Sequence, residues 1–325
     1  MTGIRSIRVR NSRNSYSFEL KRNISILCGD SGRGKTTLFE MVREYNRYGR
    51  DSGVSVSCDR KVLALESDDW ERVLTKTQNK VVFIDEDSEF IRSDDFSRLV
   101  RGSDNYYLLI TRNYLPNLPI SVDEIFELSG TKNKKFKRVF HDVEKMYDSP
   151  SGNSLPFRPD VIITEDAKSG YRFFKNEADK LGILCVSADG KSNVYNTLKA
   201  YVDKSVVVIA DGAAFGAEIS DIVNQQKLTP KKLAIFLPES FEWLILQSGV
   251  IKDIGVHKIE APENYADSRK YMSWEQYFTD LIVNETRKIK YMKYVKGKLP
   301  DYYLQPAIAD AIKSKASGID WSVRG

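Results

Sequence analysis

The sequence predicts an α/β protein made of two successive units, and three observations carry that reading. In the first half, short apolar and β-branched runs alternate with charged amphipathic stretches. Asn23–Cys28, Lys61–Leu65, Lys80–Asp85 and Tyr106–Thr111 read as strands, and Lys35–Tyr48, Asp68–Thr77 and Asp94–Gly102 as helices. Such alternation is the pattern of a parallel sheet covered by helices. A stretch dense in Pro, Gly, Ser and Asn follows over 147–159, with the chemistry of turns and linkers. The alternation then resumes, with strands at Asp160–Thr164, Ile183–Ser187, Ser205–Ala210 and Leu233–Leu237. Helices fall between them near Tyr171–Leu181, Asn193–Val202 and Ala217–Gln225.

The expected boundaries are therefore 1–146, a linker at 147–159, a smaller α/β unit at 160–260 and a helical extension at 261–325. In that extension Trp274, Phe278, Leu281 and Ile282 share one apolar face, and Gly297 and Pro300 interrupt the pattern. A length of 325 residues suits two domains. With 41% hydrophobic and 29% charged residues, the composition is that of a soluble globular protein and excludes fibrous and disordered classes. No apolar run is long enough for a membrane helix, and the first residues lack an apolar signal core, so the expectation is a cytoplasmic protein with no membrane partner. Cys28, Cys58 and Cys185 are scattered and odd in number, which argues against a disulfide framework or a zinc site. His141 and His257 are isolated and read as surface or structural residues.

The strongest motif runs from the strand at Asn23–Cys28 through Gly29, Asp30, Ser31, Gly32, Arg33, Gly34, Lys35, Thr36 and Thr37 into a helix. This is GxxxxGKT. Glycines let successive backbone N–H groups face a phosphate, Lys35 reaches the β- and γ-phosphates, and the Thr36 hydroxyl is placed for Mg²⁺. An apolar strand closing on Asp85 and Glu86 supplies the acids such a site needs: Asp85 for Mg²⁺, and Glu86 to orient or deprotonate the attacking water. Read alone, that segment is equally a strand ending in a solvated acidic turn. Thr111 and Arg112 end a third strand, where a polar pair can sense the γ-phosphate.

Together these segments resemble the additional-strand group of P-loop ATPases. The resemblance implies ATP and Mg²⁺ as cofactors, Lys35 and Glu86 as catalytic residues, and a P-loop parallel-sheet domain. No guanine-specifying NKxD segment appears, which favours ATP. The 50 positions from Lys35 to Asp85 leave little room for an ABC-type insertion, and Leu128-Ser-Gly-Thr131 lies on the wrong side of Asp85 to act as its signature.

In the second unit, Glu165 and Asp166 close one strand, Ala188-Asp-Gly-Lys-Ser-Asn193 follows the next, and Asp211-Gly-Ala-Ala-Phe-Gly216 closes a third. Carboxylates at neighbouring strand ends can converge on a divalent cation. This arrangement resembles the TOPRIM fold. Glu165 matches its glutamate, Asp211 its first aspartate and Gly216 its closing glycine, while Ala213 stands where the family has a second aspartate. The resemblance implies Mg²⁺ or Mn²⁺ held by Glu165 and Asp211, with Glu242 or Glu218 as a substitute carboxylate. A Rossmann-like domain with solvated acidic strand ends is the alternative.

A P-loop ATPase followed by a TOPRIM-like domain is similar in layout to the OLD-family ATP-dependent nucleases of bacteria and phages. It implies an ATPase that regulates a metal-dependent nuclease acting on DNA or RNA. An ATP-dependent switch with an inactive second domain that binds a protein partner, or a phosphotransferase, remains open, as does a homo-oligomer completing its site through Arg112 or Arg138. Three basic clusters are candidate polyanion contacts: Arg5, Arg8, Arg10 and Arg13; Lys132, Lys134, Lys135, Lys137 and Arg138; and Arg287, Lys288, Lys290, Lys293, Lys296 and Lys298. The last, interleaved with Tyr291 and Tyr294, is the best nucleic-acid candidate.

Overall fold

The computed structural model describes residues 1–66, 68–112, 115–133, 138–147 and 157–322, with the side chains of 130–133 excepted. The chain divides into two units, Met1–Tyr147 with Ala261–Ser273, and Asp148–Glu260 with Trp274–Gly325. The segment 261–325, expected as one extension, is thus shared between them. Most of the expected linker, 148–156, lies outside the described residues.

Unit 1 opens with two strands that alternate buried and exposed residues, β1 (Arg5–Arg10) and β2 (Asn14–Leu20). Next come β3 (Ile24–Cys28), buried throughout, and α1 (Lys35–Tyr48), then β4 (Ser55–Ser57), β5 (Lys61–Leu65), α2 (Trp70–Thr75) and β6 (Lys80–Ile84). The unit continues through α3 (Asp94–Val100), β7 (Tyr106–Ile110), β8 (Ile125–Asn133) and β9 (Arg138–Lys145). The nine strands form one sheet in the order β4-β1-β2-β9-β8-β3-β7-β6-β5.

Five strands, β8-β3-β7-β6-β5, run parallel, as buried apolar strands with helical crossovers should. The other edge departs from the expected parallel sheet. β9 returns antiparallel to β8, β2 pairs parallel to β9, and β1 runs antiparallel to both β2 and β4. The sheet is therefore mixed. Ala261–Ser273 joins this unit through hydrogen bonds from the Gly3 N–H to the Glu263 carbonyl at 2.6 Å and from the Ser268 hydroxyl to the Ser103 carbonyl at 2.9 Å.

Unit 2 contains β10 (Val161–Thr164), α4 (Ser169–Lys180), β11 (Leu184–Ser187), α5 (Val194–Lys199), β12 (Val206–Ile209), α6 (Ile219–Leu228) and β13 (Leu233–Phe236). Helices α7 (Phe241–Gln247), α8 (His257–Glu260), α9 (Trp274–Thr286) and α10 (Pro306–Lys313) complete it. Its four strands are all parallel, in the order β11-β10-β12-β13. The chain goes from β10 outward to β11 and then crosses to β12, so the sheet reverses direction between β10 and β12. In open α/β sheets, ligands bind beyond the carboxyl ends of strands at such a reversal. Phe173, Phe174 and Phe241 pack edge to face or tilted on one flank, with ring centroids 5.3 to 5.9 Å apart.

Candidate functional sites

In unit 1, three neighbouring strands deliver the sequence-predicted residues to one sheet edge. β3 runs into the loop Gly29–Gly34, β7 ends before Thr111 and Arg112, and β6 ends before Asp85 and Glu86. Gly29, Gly32 and Gly34 have φ of 104°, 79° and 104°, a region that glycine enters without penalty, so the loop curls back onto the first turn of α1. The Lys35 ammonium donates to the carbonyls of Gly29 at 2.7 Å and Asp30 at 2.9 Å, lying along the loop. Asp30, Ser31, Arg33, Thr36 and Thr37 are exposed at the rim, and Lys35 and Thr111 are buried.

Arg112 ties the site together. Its guanidinium donates to the Ser31 hydroxyl at 3.0 Å and approaches the Glu86 carboxylate at 3.5 Å, linking the loop to the end of β6. Asp85 has a buried oxygen, Oδ1, without a hydrogen-bond partner, and burial pushes its carboxyl above the usual range. A buried acceptor of this kind suits a cation or its water, so Asp85 fits the role of a Mg²⁺ ligand, and Thr36 is exposed at the first turn of α1.

Beneath the loop lies a pair that sequence reasoning left out. Tyr16 of β2 and His141 of β9 are buried and stacked, and the Tyr16 hydroxyl donates to the Gly34 carbonyl at 2.9 Å. The register of β2 against β9 sets Tyr16 opposite His141. His141 is therefore structural, as its isolation suggested. Arg5 is buried against Asp59 and the Tyr106 ring, whereas Arg8, Arg10 and Arg13 are exposed. Of the second basic cluster, Lys134, Lys135 and Lys137 lie outside the described residues.

In unit 2, Glu165 and Asp211 follow the adjacent strands β10 and β12, and a Glu165 oxygen accepts the Asp211 backbone N–H at 3.0 Å. Asp166, beside Glu165, caps α4, accepting the N–H groups of Lys168, Gly170 and Tyr171 at 3.2, 3.2 and 2.9 Å. Glu242 is buried in the first turn of α7 and accepts the Tyr294 hydroxyl at 2.8 Å. A cavity of about 300 Å³ is lined by Glu165, Asp211, Glu242, Glu275 and Lys296, with the start of α4. The Lys296 ammonium is ion-paired with Glu275.

Burial opposes ionisation of these acids. It pushes Glu165 up to about 7, against the Asp211 N–H that favours the charged form, and it raises Asp211 and Glu242 as well. Burial alone would lower Lys296, but the charges of Glu275, Glu242 and Asp211 outweigh it and hold the ammonium above its ordinary range. The residues do not fit a divalent cation. Among the described residues no three His, Cys, Asp or Glu side chains are grouped to hold one, Ala213 is a buried methyl, and a lysine occupies the acidic cavity.

Glu218 stands apart from that cavity, 3.8 Å from Lys191. Lys296 likewise separates from the cations grouped with it in the sequence. Arg287, Lys288, Lys290, Lys293 and Lys298 are exposed along the irregular stretch after α9, where Tyr291 is exposed and Tyr294 buried. Glu275 escaped sequence reasoning because nothing in its spacing links a residue of α9 to strand ends more than sixty positions earlier. Comparison of the chain with protein-family models and with curated proteins yields no match. Among the described residues no helix is long and apolar enough to cross a membrane.

Proposed function

We propose that the protein is an ATP-dependent switch: unit 1 binds and hydrolyses ATP, and unit 2 is a TOPRIM-like domain that docks nucleic acid. The observation that carries the ATPase reading is the junction of the glycine loop with Glu86 through Arg112. Further support comes from β7 lying as an additional strand between β3, which carries the loop, and β6, which carries the acids. In this reading the loop N–H groups and Lys35 bind the phosphates, Asp85 and Thr36 hold Mg²⁺, which would neutralise phosphate charge, and Glu86 orients the water. Arg112 positions Glu86 and would sense the γ-phosphate.

For unit 2, Lys296 in the acidic cavity and Ala213 at the missing ligand position favour docking over metal-dependent cleavage. The exposed Arg287, Lys288, Lys290, Lys293 and Lys298 are the proposed polyanion contacts. The nuclease reading draws its support from Glu165 and Asp211 at adjacent strand ends. Two assays on one preparation separate the readings. The switch reading expects phosphate release from ATP, reduced about a hundredfold in Glu86→Gln with ATP binding retained, and no cleavage of plasmid, single-stranded DNA or RNA in Mg²⁺ or Mn²⁺. Cleavage abolished by both Glu165→Ala and Asp211→Ala would establish the nuclease instead. Absence of ATP turnover in the wild type would overturn the ATPase.

A further inference from the structure

We propose that Lys296 is a tethered cation that takes the place of a divalent metal in unit 2, neutralising the cavity of Glu165, Asp211, Glu242 and Glu275 from within the chain. Glu165, Asp211, Glu242 and Glu275 line one cavity of about 300 Å³ together with Asp166 and Asp189, and of its two lysines Lys168 is exposed while Lys296 is ion-paired to one of the acids. Burying several carboxylates together without a counter-charge is strongly unfavourable, and the chain has two remedies, protonation or a cation. Lys296 supplies the second, through its ion pair with Glu275 and its proximity to Glu242 and Asp211.

The surroundings fix the lysine in this role. Tyr294, two residues earlier, is buried and anchored on Glu242. The Ser169 hydroxyl at the start of α4 donates to the Lys296 carbonyl at 2.6 Å. These contacts fix the backbone that carries Lys296 at the cavity, and the ammonium itself is held by its ion pair with Glu275. An ammonium tolerates irregular surroundings, whereas Mg²⁺ demands near-octahedral oxygen ligands, so three clustered carboxylates are not required. This inference is independent of whether unit 1 binds ATP.

The test is Mn²⁺ binding by nucleotide-free protein, followed by electron paramagnetic resonance in an Asp85→Asn background that removes the metal candidate of unit 1. The background chain and Lys296→Arg are expected to bind no Mn²⁺ at submillimolar concentration. Lys296→Met, in which the carboxylates are freed to close on an ion that their present spacing does not hold, is expected to bind one ion per chain at least tenfold more tightly, and to lose it again on Asp211→Asn. A background chain that binds Mn²⁺ as tightly as Lys296→Met would overturn the proposal, as would a folded Lys296→Met that gains none. If Lys296→Met does not fold, amine acylation of the unsubstituted chain decides. Lys296 is expected to react at least tenfold more slowly than the exposed Lys293 and Lys298, and equal rates would overturn the assignment.

Discussion

Tyr16 and His141 stack with ring centroids 4.2 Å apart and planes inclined by only 5°, directly under Gly34 of the glycine loop. A side chain at Gly34 would place its Cβ 2.8 Å from both the His141 ring and the Tyr16 hydroxyl. The antiparallel edge of the sheet thus shapes the loop carried by its parallel part.

Gly34→Ala combines this collision with a positive φ that costs a non-glycine residue about 1–2 kcal/mol. ATP affinity is expected to fall at least tenfold while the far-ultraviolet spectrum is unchanged. Titration with a fluorescent ATP analogue checks it, and unchanged affinity would mean that the ring pair does not constrain the loop.

Arg112→Ala removes the cation that touches both Ser31 and Glu86. The account expects turnover to drop more than ATP affinity, because the carboxylate loses its positioning whereas Lys35 and the loop remain. Steady-state phosphate release at saturating ATP, compared with equilibrium binding, separates the two effects.

Glu124 gives unit 1 a pH dependence. Burial pushes its carboxyl up to about 7, against the nearby Arg22 charge and the Ser25 hydroxyl that favour ionisation. Between the ordinary glutamate value of 4.5 and about 7 the unfolded chain has released this proton and the native chain retains it. Stability therefore falls as pH rises through that window, by up to about 3 kcal/mol from this group. Urea unfolding at pH 5 and pH 7.5 should show a smaller loss in Glu124→Gln than in the wild type.

Tyr294→Phe leaves a buried Glu242 oxygen without its donor. Unit 2 should lose about 1–3 kcal/mol, the usual cost of an unsatisfied buried acceptor. Chemical denaturation followed by tryptophan fluorescence measures it; Trp243 and Trp274 lie in unit 2.

Much of the fold was legible in the sequence because its strands are continuous apolar runs. The expected strand at Lys61–Leu65 and helix at Lys35–Tyr48 coincide with β5 and α1. The missed strands are β1, β2, β4, β8 and β9; β1 and β2 carry their signal as alternation, β4 has only three residues, and β9 has a single buried residue. In β1, Ile7 and Val9 are buried between exposed Arg8 and Arg10, and the arginines drew attention as a charge cluster. That omission turned a mixed sheet into a parallel one. At the sites, residues in sequence runs were legible: Gly29–Thr37, Asp85, Glu86 and the strand ends at Glu165 and Asp211. Residues that meet only through tertiary folding were not, as with His141 under Gly34 and Glu275 against Lys296.

Binding of Mg²⁺ and ATP to the full chain and to Lys35→Ala, measured by calorimetry, tests the central claim most directly. Lys35 is buried along the loop, with its ammonium on the Gly29 and Asp30 carbonyls. Its charge should be essential to triphosphate binding and unimportant to the fold. The account predicts saturable binding at one site per wild-type chain and at least a hundredfold weaker binding in a folded Lys35→Ala. Equal affinity in the two proteins would contradict it.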